Sequence, residues 1–395
     1  MSASVSRWPL EMMDPEELGF DPERLKRIDR VVQGFVDSGE IAGGVTLVAR
    51  HGGIAHRGVF GKADIENDVP MRDDTLFRIY SMTKPITSVA TLMLYEECRF
   101  LLDDPVKNYL PEFAEVRVKV KGADGADELV RPRRDVTIHD LLTHLGGLSY
   151  ELVLEARRSG ITTEEFLRRF AKCPLLRHPG EQWAYSASCE VLGRLIEVLS
   201  GQTLDVFFEE RIFRPLGMTD TFFQVPAEKR NRLAVLYTPD ENGRLAPKAD
   251  AIFAYEPPAP GETRFLSGGG GLVSSTSDYL RFCLMLLNDG AWNGARILSR
   301  KTVELMTCDH LPPGHPPIEP YKFGFGLGVS VLRSLGEKQG LGSVGEFGWG
   351  GAACTEAWVD PAEDLISIVM FQLWPGPRRN FTKLFKHAVY QAIAD

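Results

Sequence analysis

Apolar residues Leu25, Ile28, Val31, Val32 and Phe35 recur at helical spacing behind an Asp21-Pro22 start, so a first helix is expected over residues 22–36. The period then changes. Residues 44–50 and 54–60 are strand-like runs separated by His51-Gly52-Gly53, which predicts a tight hairpin in an antiparallel sheet. From about residue 82 to 265 helical patterns dominate, over residues 88–97, 138–142, 163–170, 188–199 and 204–212, with Pro- and Gly-rich connections. After the breakers of residues 257–261 come a helix over 277–287, strand candidates over 323–332, 353–359 and 365–371, and a closing helix over 381–393. Strands at both ends with helices between them predict an α/β (α+β) chain. One antiparallel sheet would be built from residues 1–80 with 266–395, beside a mainly helical lobe of residues 81–265, with a cleft between the two as the natural place for a site.

Composition narrows the function classes. With 44% hydrophobic and 25% charged residues the 395-residue chain can bury a large core, and its net charge of -9 argues against nucleic acid as a partner. The basic residues Lys119, Lys121, Arg131, Arg133 and Arg134 surround a Gly- and Asp-containing segment and read as a solvated hairpin tip. Glu11, Asp14, Glu16 and Glu17 occupy the region where an export signal would need a basic start and an apolar middle, and no run approaches a membrane span. A cytoplasmic chain without a membrane partner is expected. The six cysteines are scattered, with no C-x-x-C pair and no histidine at ligand spacing, so packed reduced thiols and no metal or other cofactor are expected. Neither H-E-x-x-H nor G-x-S-x-G occurs.

Candidate chemistry starts at Ser81, which alone among the serines has a lysine three residues on. Positions i and i+3 share a helix face, so Lys84 can approach the Ser81 hydroxyl, while Pro85 in the first turn needs no intrahelical donor. A serine needs such a neighbour to remove its proton before it can attack. Taken alone, the tetrapeptide fits equally well a helix N-cap with its lysine in water.

Its surroundings decide between the two readings. The run Thr75-Leu-Phe-Arg-Ile-Tyr-Ser81-Met-Thr-Lys84-Pro85 resembles the nucleophile segment of class C beta-lactamases, penicillin-binding DD-peptidases and family VIII carboxylesterases. Thr137 to Leu148, Pro179-Gly180 with Trp183-Ala-Tyr185-Ser186 and Val191-Leu-Gly193, and the glycine-rich run Ser267 to Asp278 resemble further segments of that family, in the family's order. The resemblance spans roughly residues 20 to 392. It implies a serine beta-lactamase-like fold in which Tyr185 works beside Ser81 and Lys84, and it leaves open whether Tyr185 or Lys84 takes the proton. It also implies an oxyanion site formed by the N–H groups of Ser81 and Ala352. His144, though in a matched segment, is expected to be structural.

Two departures bear on the substrate. Beta-lactamases place Asn two residues after the tyrosine, where this chain has Ala187. Their Lys-Thr-Gly strand motif is matched here by Trp349-Gly350-Gly351, the W-G-G of family VIII esterases. An indole offers an apolar wall where a lysine would offer a cation to a carboxylate, so the resemblance implies a small, neutral ester as substrate, with the two glycines letting it lie close to the strand. Tyr150 and Trp183, and beyond them Tyr80, Phe253, Tyr255 and Trp374, are candidates for the surrounding pocket. The alternatives are an acyltransferase of the lovastatin-side-chain type, a beta-lactamase or D-amino-acid peptidase, and a scaffold kept as a binding protein.

Overall fold

The structure, a computed structural model, describes residues 10–150, 152–153, 155–156, 161–248, 265–318, 322–376 and 381–395. His51 and Gly52 take φ values of 48° and 95°. Positive φ at both positions is what a two-residue turn between twisted strands requires, and it pairs β1 (Gly43–Arg50) with β2 (Gly53–Asp64) so that Arg50 faces Gly53. The sheet is completed by β3 (Val69–Pro70), β4 (Gly324–Phe325), β5 (Ser330–Val331), β6 (Phe347–Gly351), β7 (Thr355–Asp360) and β8 (Leu365–Phe371). Its order is β4-β5-β6-β7-β8-β1-β2-β3, with every neighbouring pair antiparallel.

The central strand explains the layers. All seven residues of β8 are buried, and alternate side chains go to opposite faces. Ile366, Ile368 and Met370 join the large core under the helical region, which includes α5 (Thr276–Leu287). Leu365, Val369 and Phe371 join a second core closed by α2 (Arg27–Asp37) and α6 (Phe381–Tyr390). This is the expected antiparallel sheet flanked by helices.

Several elements differ from their sequence patterns. The first helix is interrupted at Lys26, giving α1 (Pro22–Leu25) before α2. The third helix begins at Thr83, so that α3 (Thr83–Glu96) takes in the Thr-Lys-Pro segment. The helix expected over 204–212 passes through a wider π turn at Glu209–Phe213. The single strand expected over 323–332 is a hairpin, β4 and β5, because Gly328 turns the chain at φ 87° against α3, where a Cβ would lie 1.9 Å from Ser88 Oγ. The strand expected from 353 starts at Thr355, since residues 352–354 form the turn from β6 to β7. Lys119 and Lys121 do lie in a hairpin, Val118–Lys121 with Asp127–Val130, and both pair with Asp127, but Arg131, Arg133 and Arg134 lie beyond it, with Arg133 paired to Glu181 and Arg134 to the buried Asp140.

Candidate active site

Ser81 sits in one tight turn, Tyr80–Met82, that runs directly into α3. Tyr80 is held at φ 42°, a left-handed backbone that costs a bulky residue about 1–3 kcal/mol. Neighbouring groups hold the turn against that strain. The Ile79 N–H donates to the Leu272 carbonyl at 3.1 Å, the Leu272 N–H to Thr83 Oγ1 at 3.2 Å, and the Tyr279 hydroxyl to the Met82 carbonyl at 3.0 Å. Tyr80 and Met82 are buried on either side, while Ser81 keeps some exposure.

Lys84 lies one turn further along the same face. Its Nζ donates to Ser81 Oγ at 3.1 Å and to the Gly269 carbonyl at 2.5 Å, and the side chain is buried. Tyr185 arrives from 104 positions away, and its hydroxyl donates to Ser81 Oγ at 2.7 Å. The loop that carries it is pinned by Ala184 N–H to the His144 carbonyl at 3.0 Å and Ala187 N–H to the Ser149 carbonyl at 3.1 Å, just before α4 (Ser188–Ser200). His144 Nδ1 shares a 3.0 Å hydrogen bond with Ser186 Oγ on the same loop. Burial and the Lys84 charge push the His144 imidazole down to about 3, so it stays neutral and holds the loop in place.

Burial opposes charge on Lys84, but the attraction of Tyr150, Tyr185 and Cys189 in their ionised forms, with the hydrogen bond to Tyr185, outweighs it and raises its pKa above that of a free lysine. Burial raises Tyr185, and the Lys84 charge offsets part of that. The pair therefore rests as ammonium and phenol, with Ser81 Oγ within hydrogen-bond reach of both. Loss of one proton from the pair leaves a phenolate beside an ammonium or an amine beside a phenol, and either form can take a proton from the serine hydroxyl and return it to a leaving group without any histidine.

Aromatic rings form one side of the site. Tyr150 stacks on Tyr185 at 5.7 Å between ring centres, Trp183 stacks at 6.2 Å, and Trp349 tilts against it at 5.6 Å. Phe325, which no sequence motif marked, closes the group edge-on to Trp349 at 5.3 Å. Trp349, Gly350 and Gly351 lie on β6 and are partly exposed. A Cβ on Gly351 would lie 2.3 Å from the Ile79 carbonyl oxygen, so the space it leaves is used by the backbone leading to Ser81. At Gly350 the nearest atom would be 3.3 Å away. Ala352 is exposed at the turn after β6, between Gly351 on Ile79 and Ala353, which packs against Tyr80. Tyr80 itself is buried edge-on against Trp374 at 5.9 Å and with Leu236, as packing beneath that turn. Phe253 and Tyr255 lie outside the described residues. Among the described residues, no three His, Cys, Asp or Glu side chains are placed to hold a metal ion, and no helix is long and apolar enough to cross a membrane.

The family model described as Beta-lactamase matches residues 28–391, which takes in every segment of this site. The chain belongs to the beta-lactamase family. Within that family it is 37% identical to Esterase EstB of Burkholderia gladioli, over 96% of this chain and 98% of that one. It is 28% identical to Monacolin J acid methylbutanoyltransferase of Aspergillus terreus, over 90% and 93% of the two chains. Among solved structures, EstCE1, described as a hydrolase with promiscuous acyltransferase activity, matches with a TM-score of 0.78 at 29% identity, covering 93% of this chain and 99% of its own. These relatives place the chain among the serine hydrolases and acyl-transferring enzymes of the beta-lactamase family.

Proposed function

We propose that the protein is a carboxylesterase that hydrolyses short-chain, neutral esters through an acyl-enzyme on Ser81. The observation that carries this reading is Trp349 on β6, packed against Tyr185 at 5.6 Å, where the lactam- and peptide-cleaving members of the family carry a lysine. A substrate carboxylate would meet an indole there rather than a cation.

In the first half-reaction Ser81 Oγ attacks the ester carbonyl. The reactive form is the one in which the Lys84–Tyr185 pair has already lost one proton to solvent: Tyr185, the nearer of the two groups, then takes the serine proton as a phenolate, and Lys84 stays charged beside it. The N–H groups of Ser81 and Ala352 hold the oxyanion, each donor being worth about 3–4 kcal/mol in the transition state. The C–O bond then breaks, the alcohol leaves with the proton from Tyr185, and the acyl group remains on Ser81. Water repeats the sequence and releases the acid. The active cleft is proposed to lie between a sheet domain within residues 1–80 and 266–395 and a helical lobe within residues 81–265.

Transfer of the same acyl group to an alcohol is the second reading, favoured by the methylbutanoyltransferase relative and by the described transferase activity of EstCE1. Fluorophosphonate labelling with peptide mapping, run beside a p-nitrophenyl acetate and butyrate assay on wild type and Ser81→Ala, tests the proposal. It expects the label on Ser81 and activity lost in the variant. A label elsewhere, or undiminished activity, overturns it. Added alcohols that raise product release while acid formation falls would favour transfer over hydrolysis.

A further inference from the structure

Glu190 stands five residues beyond Tyr185 on α4 with 1% of its surface exposed. A glutamate buried to that degree needs partners. Its carboxylate accepts from the Ser267 hydroxyl at 2.7 Å through Oε1 and from the Gly269 N–H at 3.1 Å through Oε2. The carbonyl of the same Gly269 accepts from Lys84 Nζ at 2.5 Å. A single peptide unit's breadth therefore separates a buried anion from the buried cation. A Cβ at Gly269 would lie 2.7 Å from Glu190 Oε1 and 3.5 Å from Lys84 Nζ, filling the gap between them. The neighbouring Cys189 feels both charges, with opposite signs.

We infer that Glu190 is a positioning residue for the reaction: through Gly269 it fixes where Lys84 sits, and its negative charge balances Lys84 in a site that has no amide side chain at Ala187. The geometry gives each half of this its reason. Ser267 and Gly269 belong to the glycine-rich turn, and the carboxylate clamps that turn at two points so that one carbonyl faces Lys84. The turn can lie this close only without side chains, since a Cβ on Gly268 would lie 2.5 Å from the Cys189 carbonyl oxygen. The anion also makes a buried ammonium tolerable. Among the described residues, the groups around Lys84 are Ser81 on its own turn, Tyr150, Tyr185 and His144 on the neighbouring segments, Cys189 on α4 and, across Gly269, Glu190 on α4. Of these, only Glu190 is a carboxylate.

Glu190→Gln is the direct test, because an amide can accept from the Gly269 N–H and donate to Ser267, keeping the clamp while removing the charge. The inference rests on Ser81 being the reactive serine, so the readout is the pH dependence of fluorophosphonate labelling at Ser81, which needs no particular ester. Removing a nearby negative charge favours loss of a proton from Lys84 and from Tyr185 alike. Whichever is the base, the rising limb of the profile moves to lower pH, by about one unit or more. Glu190→Asp, which keeps the charge one methylene further back, gives a limb between those of wild type and Glu190→Gln. A limb unmoved in Glu190→Gln, or moved as far by Glu190→Asp, overturns the inference. Wild-type protein that fails to label at Ser81 would instead overturn the proposed function, so the two failures are distinct.

Discussion

Gly351 and the Ile79 carbonyl are in a contact that leaves no room for a side chain: a Cβ at 351 would lie 2.3 Å from the Ile79 oxygen and 2.3 Å from Thr355 Oγ1. Through that contact β6 sets the height of the strained turn that carries Ser81. Gly351→Ala must push β6 off Ile79. An expected loss of about 10²-fold in kcat/KM follows from a displacement near 1 Å, accompanied by a lower thermal midpoint. Steady-state assays and thermal melts check both.

Tyr185→Phe separates the hydroxyl from the ring. The stack on Tyr150 and the contact with Trp349 remain, while the group 2.7 Å from Ser81 Oγ is gone. A fall of about 10²–10⁴-fold in kcat is expected, the usual worth of a general acid–base group. KM for p-nitrophenyl butyrate and the thermal midpoint should change little.

Trp349→Lys puts a cation where the indole stands. The ratio of kcat/KM for a carboxylate-bearing p-nitrophenyl ester to that for the butyrate should rise about fivefold or more, the scale of a partly exposed ion pair. Activity on the butyrate itself should fall as the aromatic wall is lost. An unchanged ratio would mean that position 349 does not face the substrate.

The start of β6 is anchored by a buried charge cluster. Glu346 accepts from Lys338 at 2.6 Å and contacts Lys386, and the Tyr390 hydroxyl lies 2.9 Å from it and 2.7 Å from Asp360. Burial works to raise the Glu346 carboxyl, but Lys386 and Lys338 overcome it and hold the pKa below the ordinary glutamate value. Burial brings Lys386 down to about 8. A depressed carboxylate stabilises the fold above its unfolded pKa and loses that contribution as pH falls through the folded one. Glu346→Gln should therefore cost about 3–5 kcal/mol at pH 7, where it leaves the lysines without their anion. The difference from wild type should shrink below about pH 4, where unfolded glutamate protonates. Urea unfolding of both proteins across pH 3–7 measures it.

Legibility in the sequence followed how local each feature is. The β1–β2 hairpin could be read because His51-Gly52 supplies a turn inside an alternating pattern, and the Ser81–Lys84 pair because three residues make one helical step. Tyr185 is joined to them only by tertiary structure across 104 positions, so it was legible through the family's motif order and not through spacing. The β6 strand has three glycines in Phe347–Gly351, a composition that no strand propensity favours, and it too was found by resemblance alone. Two features stayed hidden for physical reasons. Gly326 and Gly328 turn the run expected as one strand into a hairpin, which brings Phe325 to the aromatic wall. Glu190 looks like a solvated helix residue until Ser267 and Gly269 close over it.

A covalent acyl-enzyme on Ser81 can be caught by mass spectrometry of protein quenched in acid during turnover of p-nitrophenyl butyrate. A butyryl group is expected on the peptide containing Ser81 in wild type and none in Ser81→Ala. Turnover with no acylated peptide at any quench time, or a butyryl group on another residue with Ser81→Ala still active, would contradict it.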